Sequence, residues 1–298
     1  MQIQVMKTIK RPFLLGLCLV FINTVSYAVT INELGRTTVY IREQLNYYEA
    51  NGGRKYEVWF KDINTGKLKP KLLTKHGTGF LVVHNNHIYI VTAAHVAKDM
   101  SDKAEIIWNT ATGEMRNSTI KDLDKELPYS KWFFHPIADI AVRPFGFTEK
   151  TEHILVPEEL FIKTNEVISL GTKVYILGFP LNLGLRDTLS PISKKAEIAS
   201  WTTTIDSSNV RPEAKFILLD EDLAAGYSGA PVFVSPEPQM EGNRIVLTNI
   251  SPKLIGIQIG TISDQTGGKI SLVVPITCLE EIFSSPEFKE YETKVGIR

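Results

Sequence analysis

GTGFLVVHNNHIYIVTAAHV, residues 77–96, decides how the chain is read. Two runs rich in β-branched and aromatic residues flank Asn85-Asn86. Asparagine tolerates positive φ, which a two-residue hairpin turn demands, so the stretch predicts two antiparallel strands joined tightly. The second strand ends in Ala93-Ala94, where small side chains let the backbone turn closely and leave His95 at a strand end.

Outward from this hairpin the same texture continues. KYEVWFKDI, AEIIWNTATGEMRNSTI, KVYILGFP, KAEIASWTTTI, KFILLDEDL, APVFVS, KLIGIQIGTIS and ISLVVPI are short apolar runs broken by Gly, Asn, Asp and Pro. Many short strands at close spacing predict an all-β sandwich or barrel. Helical patterns are confined to the ends. Residues 31–50 place Leu34, Val39, Ile41 and Leu45 at fair helical spacing and stop at Asn51-Gly52-Gly53. The tail TCLEEIFSSPEFKEY reads as a helix that then frays. Residues 148–168 are the most charged mid-chain stretch and a natural join between two halves. There is no internal repeat, low-complexity tract or Pro/Gly-rich linker.

The 298 residues suffice for one large domain or two small ones with a real core. Apolar content of 43%, charged content of 22% and zero net charge describe an ordinary soluble protein. With no basic stripe, nucleic acid is not an expected partner. Residues 1–28 stand apart. Lys7, Lys10 and Arg11 precede the apolar run FLLGLCLVFI, and SYA supplies small residues at the positions a signal peptidase reads. This is the pattern of a secretory signal peptide, too short to span a bilayer comfortably. Its removal takes away those three cations and no acid, leaving 30 basic and 33 acidic residues. It also takes Cys18, so Cys278 remains without an intramolecular partner. The expectation is a bacterial periplasmic or secreted protein, held together by its core, with no membrane span after leader removal.

Three residues carry candidate chemistry. His95 ends the first hairpin. Asp139 interrupts the apolar run IADIAV, where a carboxylate asks for a hydrogen-bonding partner unless it faces solvent on an edge strand. Ser228 lies in GYSGAP, where Gly226 permits a backbone twist and Gly229 a close approach. That stretch alone reads as a turn; with His95 and Asp139 in order before it, Ser228 reads as a nucleophile. The order His, Asp, Ser matches one of the known triad orders and excludes two others. Asp122 and Asp124, in KDLDKE, read as a solvated charge run. His84 and His87 flank the Asn-Asn turn without a third metal-ligand cluster, and His76, His135 and His153 read as surface or loop residues. No cofactor or metal is expected.

Seven short segments occur in one order: GTGFLV (77–82), VTAAHV (91–96), ADIAV (138–142), VYILGFP (174–180), FILLDEDLAAGYSGAPVF (216–233), LIGIQIG (254–260) and LVVPI (272–276). On these the chain resembles the trypsin-like serine proteases, within them the bacterial HtrA-like branch. The resemblance implies two antiparallel six-stranded β-barrels of chymotrypsin type, with short terminal helices. It divides the chain into a leader (1–28), an N-terminal helical or extended segment (29–76), a first barrel (77–150), and a connector, second barrel and C-terminal helix (151–298). It implies a serine endopeptidase acting on protein or peptide substrates through His95, Asp139 and Ser228. The N–H groups of Gly226 and Ser228 would form the oxyanion hole, and Ile259, Gly260 and Thr261 would pair with the substrate backbone.

Three features depart from the family pattern. Tyr227 stands where digestive proteases carry the aspartate that binds a newly cut N-terminus, so no such zymogen switch is expected. Ala230 replaces the usual second glycine after the serine. With 22 residues after LVVPI, the peptide-binding PDZ domain usual in HtrA-like enzymes is not expected in this stretch. Asp222, six residues before Ser228, is either an acid that reads a basic P1 side chain or one member of a solvated acidic turn. Beside the protease stand two other readings: a trypsin-fold peptide- or protein-binding module without turnover, and an esterase-like acyl hydrolase with the same triad.

Overall fold

The computed structural model describes residues 30–51, 54–62, 65–147, 154–166, 168–184, 188–205, 213–234, 239–241, 244–246 and 252–296. The expected leader and His153 lie outside the described residues. The first half contains helix α1 (Ile31–Gly35), strands β1 (Thr38–Asn46), β2 (Tyr48–Asn51), β3 (Arg54–Glu57), β4 (Trp59–Lys61), β5 (Leu68–Pro70), β6 (Leu72–His84) and β7 (His87–Thr92), and helix α2 (Ala94–Asp99). It continues through β8 (Glu105–Asn109), β9 (Met115–Thr119), helix α3 (Ile120–Glu126), β10 (Phe133–Phe134), β11 (Ala141–Phe147) and β12 (Val156–Pro157). The second half holds β13 (Lys173–Gly178), β14 (Ile192–Thr204), β15 (Lys215–Leu219), β16 (Pro231–Val234), β17 (Gln239–Glu241), β18 (Arg244–Val246), β19 (Lys253–Ser263) and β20 (Lys269–Pro275), then helices α4 (Thr277–Ser284) and α5 (Pro286–Lys294).

The opening stretch folds as its residues dictate. β6 and β7 pair antiparallel from Gly79↔Thr92 to His84↔His87. Asn85 and Asn86 turn the hairpin with φ of 47° and 63°. Along the hairpin Phe80, Leu81, Val82, Ile88, Tyr89, Ile90 and Val91 are all fully buried, because the sheet is covered on both faces.

Residues 31–50 are not one helix. Only Ile31–Gly35 is helical, started by Thr30 and Glu33 in a reciprocal capping box. From Thr38 the chain is strand β1, inserted between β6 and β8 in the middle of the first sheet. Its Val39, Tyr40 and Ile41 are buried at consecutive positions, which a helix on a surface would not allow and a central strand requires. The fold therefore reaches upstream of residue 77, through β1 and the start of β6.

The two halves close differently. Strands β13-β14-β15-β20-β19-β16 form a closed barrel around Val174, Ile176, Phe216, Leu219, Val232, Leu254, Ile257 and Val273. The first half is a sheet in the order β10-β11-β7-β6-β1-β8-β9, with β12 added parallel to β6. Its end strands do not pair with each other among the described residues, so the expected first barrel is not closed there. β10 spans only two residues, and helix α3 occupies the passage between β9 and β10.

The C-terminal tail does not fray. Pro286 sits in the first turn of α5 and the Ser285 side chain accepts from Phe288 N–H, a strong helix start. Phe288 is 0% exposed and lies 5.0–5.3 Å from the rings of Phe133, Tyr89 and Phe283. The tail thereby covers the first sheet. Among the described residues no helix is long and apolar enough to cross a membrane. Phe288→Ala should destabilise the protein by about 3–5 kcal/mol, read from the midpoint of urea unfolding. A loss below ~1 kcal/mol would mean that α5 does not cover this core.

Candidate active site

His95 is the second residue of α2, whose first N–H groups have no partner inside the helix. Asp139 lies in the loop between β10 and β11, just before the strand that the sequence reading placed it in. Its Oδ1 accepts from His95 backbone N–H at 2.8 Å, and its Oδ2 lies 2.6 Å from His95 Nδ1. One carboxylate thus caps the helix and orients the imidazole. Burial pulls the His95 pKa down, but the hydrogen bond and charge of Asp139, with Asp99 beyond, outweigh it and leave it raised above 6.5.

Ser228 sits half-buried in the turn before β16. Its neighbours are backbone-specific. Gly226 has φ 106° and Gly229 φ 87°. A Cβ on Gly229 would come within 2.0 Å of Thr78 O, and one on Gly226 within 2.5 Å of Phe179 O, so both positions demand glycine. Gly229 N–H donates to Gln258 O at 2.7 Å and Gln258 N–H to Ala230 O at 2.8 Å, tying the turn to β19.

Thr78, from the GTG of the opening stretch, ties the same turn to the first sheet. Its N–H donates to Ser228 O at 2.8 Å, and its hydroxyl donates to Gly226 O at 2.7 Å while accepting from Phe179 N–H at 3.0 Å. Its carbonyl accepts from Thr92 Oγ1 at 2.7 Å. The sequence reading used GTG only as part of a family pattern and missed this function. The cue was present in a hydroxyl set between two glycines.

The carbonyl of Ala225 is held by Leu181 N–H at 2.9 Å. A trans peptide then points the N–H of Gly226 the opposite way. Among the described residues neither Gly226 N–H nor Ser228 N–H has an acceptor, so both are free to receive an anion. The Ser228 hydroxyl donates to Ile259 O at 3.3 Å, and among the described residues no hydrogen bond joins it to His95. Ile259, whose carbonyl accepts from the Ser228 hydroxyl, lines one cavity of about 290 Å³ with His95, Asp139, Phe216 and Ala214.

The family departures have local explanations. Tyr227 is buried, its hydroxyl reaches Ile192 O at 3.3 Å, and burial pushes its pKa up to about 12, so it brings no charge. Gly178 makes the room: a Cβ there would meet the Tyr227 ring at 2.8 Å and the Ala230 methyl at 3.2 Å. Ala230 is accommodated because Gly178 faces it.

The remaining candidates separate. Ile259 lies inside the register shift between Gln258 and Gly260 of β19 against β20, and among the described residues pairing with β16 ends at Ile257, leaving 259–263 with an open edge. Thr261 Oγ1 lies 3.3 Å from Ser271 Oγ on that strand pair. Asp222 is ion-paired with Lys269 and does not line the His95 cavity. Asp124, read as solvated, pairs with Arg143, whose side chain is buried. His84 stacks on Phe283 at 4.1 Å and contacts Glu158; among the described residues no group of three His, Cys, Asp or Glu is arranged to hold a metal. His76 lies half-buried in β6 instead of on the surface or in a loop, with Nε2 3.0 Å from where a Cβ on Gly226 would lie, and His135 is in the loop after β10 with its side chain buried. Burial pushes the Cys278 thiol up to about 12, which makes it unreactive.

A family model described as a trypsin-like peptidase domain matches residues 77–237, just over half of the chain. The chain belongs to the trypsin-like peptidases. Solved structures agree on the fold. "Crystal structure of Deg5" aligns at TM-score 0.50 and 17% identity, covering 84% of this chain and 88% of that one. "HtrA-type protease AlgWS227A with tripeptide" aligns at TM-score 0.51 and 15% identity, covering 88% of this chain and 63% of that one. No curated protein matches the sequence significantly.

Thr78→Val keeps the shape of this peptidase's threonine but leaves Gly226 O and Phe179 N–H unpaired. It should cost about 1–3 kcal/mol of stability in urea unfolding, while Thr78→Ser should restore most of the loss. Equal losses in both variants would place the effect in packing instead of the hydroxyl.

Proposed function

We propose that this trypsin-like peptidase is a serine endopeptidase using Ser228, His95 and Asp139. The observation that carries the reading is the pairing of two preset elements: Asp139 gripping His95 at two points, and Leu181 N–H turning the Ala225 carbonyl away from the site. A rotation of the Ser228 hydroxyl from Ile259 O toward His95 Nε2 would begin catalysis. Ser228 Oγ attacks the substrate carbonyl carbon as its proton passes to His95. Asp139 stabilises the imidazolium that forms. The N–H groups of Gly226 and Ser228 receive the oxyanion, each such donor being worth about 3 kcal/mol. The amine leaves with the proton from His95, and water, activated by the same base, hydrolyses the acyl-enzyme.

The open edge at Ile259, Gly260 and Thr261 would take the substrate as an added strand, which favours extended polypeptide over small esters. Lys269 already holds the Asp222 charge, so a basic P1 side chain finds no free carboxylate there. Residues 1–28 would direct export to the periplasm or beyond.

Cleavage of unfolded casein should depend on neutral His95. Because its pKa is raised, the base form disappears as pH falls and the acid limb of kcat/KM lies above pH 6.5. Asp139→Asn should cut the rate about 10⁴-fold, and Ser228→Ala should abolish cleavage. Unchanged cleavage by Ser228→Ala would sink the assignment.

A further inference from the structure

His135 begins the six-residue loop that carries Asp139. Its N–H donates to Ile140 O at 3.1 Å, closing the loop, and Ile140 N–H donates to Ala138 O at 2.9 Å. Its ring folds back inside. Nδ1 lies 3.2 Å from Ile137 N and 2.8 Å from Ala138 N. Two N–H groups pointing at one ring nitrogen require that nitrogen to be a bare acceptor. The ring proton is therefore on Nε2, which lies 2.7 Å from Glu281 Oε2 on α4. The side chain is only 7% exposed, while Glu281 reaches it from the surface.

Asp139 needs this support. Both of its carboxylate oxygens are bonded to His95, and among the described residues no third group orients the carboxylate. Its direction is therefore set by the backbone that precedes it, Ile137 and Ala138. That backbone is held on one side by the His135 ring. We propose that His135 is a positioning residue, whose unprotonated Nδ1 fixes the 137–138 backbone so that Asp139 meets both His95 backbone N–H and Nδ1. Glu281 fixes the tautomer that leaves Nδ1 bare. The assignment rests on the reading of His95, Asp139 and Ser228 as a triad.

Two substitutions separate the ring nitrogens. In His135→Asn the side-chain oxygen overlays Nδ1 and keeps the acceptor. In His135→Gln the amide overlays Nε2 and loses it. The test measures the rate of reaction of the purified protein with a fluorophosphonate, and by NMR the downfield Nδ1 proton of His95 in its bond to Asp139. His135→Asn should keep the wild-type rate and the proton signal. His135→Gln and His135→Ala should react about 100-fold more slowly and lose the signal. Asn and Gln behaving alike, or Asn falling with Ala, would overturn the assignment. If Gln fails to fold, the Asn-against-Ala comparison carries the same decision. If the wild type itself does not react, the triad reading fails; the proton signal still decides the role of His135, since its persistence in His135→Gln removes that role.

Discussion

Thr78 is the point on which the site depends. It belongs to the first sheet, yet its N–H and hydroxyl are committed to the second half: to Ser228, Gly226 and Phe179. A fully buried hydroxyl that donates once and accepts once has no slack, because either bond lost leaves a buried polar group unpaired. The Ser228 turn is therefore set by the sheet that also presents His95. Gly229 must lack a side chain for this to happen, since Thr78 O occupies the space a Cβ would need. Serine and histidine come from opposite halves, and Thr78 bonds the Ser228 turn to the first sheet.

The rest of the molecule holds those two halves still. The barrel closes on itself and supplies a rigid frame for β16 and β19, between which the turn is bonded. Among the described residues the first half does not close on itself, and α5 helps to cover it through Phe288. Helix α4 adds a second contact, Glu281 to His135, directly under the loop of Asp139. The two C-terminal helices thus contribute to both the core and the underside of the Asp139 loop.

Much of this was legible in the sequence because the cues were local. The Asn-Asn turn needs only the tolerance of asparagine for positive φ, and the glycines around Ser228 announce a special backbone. The His-Asp-Ser order, joined to the short flanking segments, pointed to the family. What escaped depends on distant partners. In residues 31–50 the spacing of Leu34, Val39, Ile41 and Leu45 suits a helix loosely; only insertion between β6 and β8 settles Thr38–Asn46 as a strand. Closure of the first half is a matter of which distant strands pair, and among the described residues its end strands β10 and β9 do not, which no local periodicity reveals. His135 reads as a loop histidine until Glu281, 146 positions away, is seen beside its ring. The place for the Ala230 methyl is likewise set by a distant residue, Gly178, which lies opposite it.

The central claim is that Ser228 is an activated nucleophile beside a hole already formed in the resting chain. Its most direct test is mass spectrometry of the native protein after exposure to a fluorophosphonate, without added activator or substrate. The account predicts one adduct, mapped to the peptide bearing Ser228 and absent from His95→Ala. A folded protein that forms no adduct, or one that carries it on another residue, would contradict it.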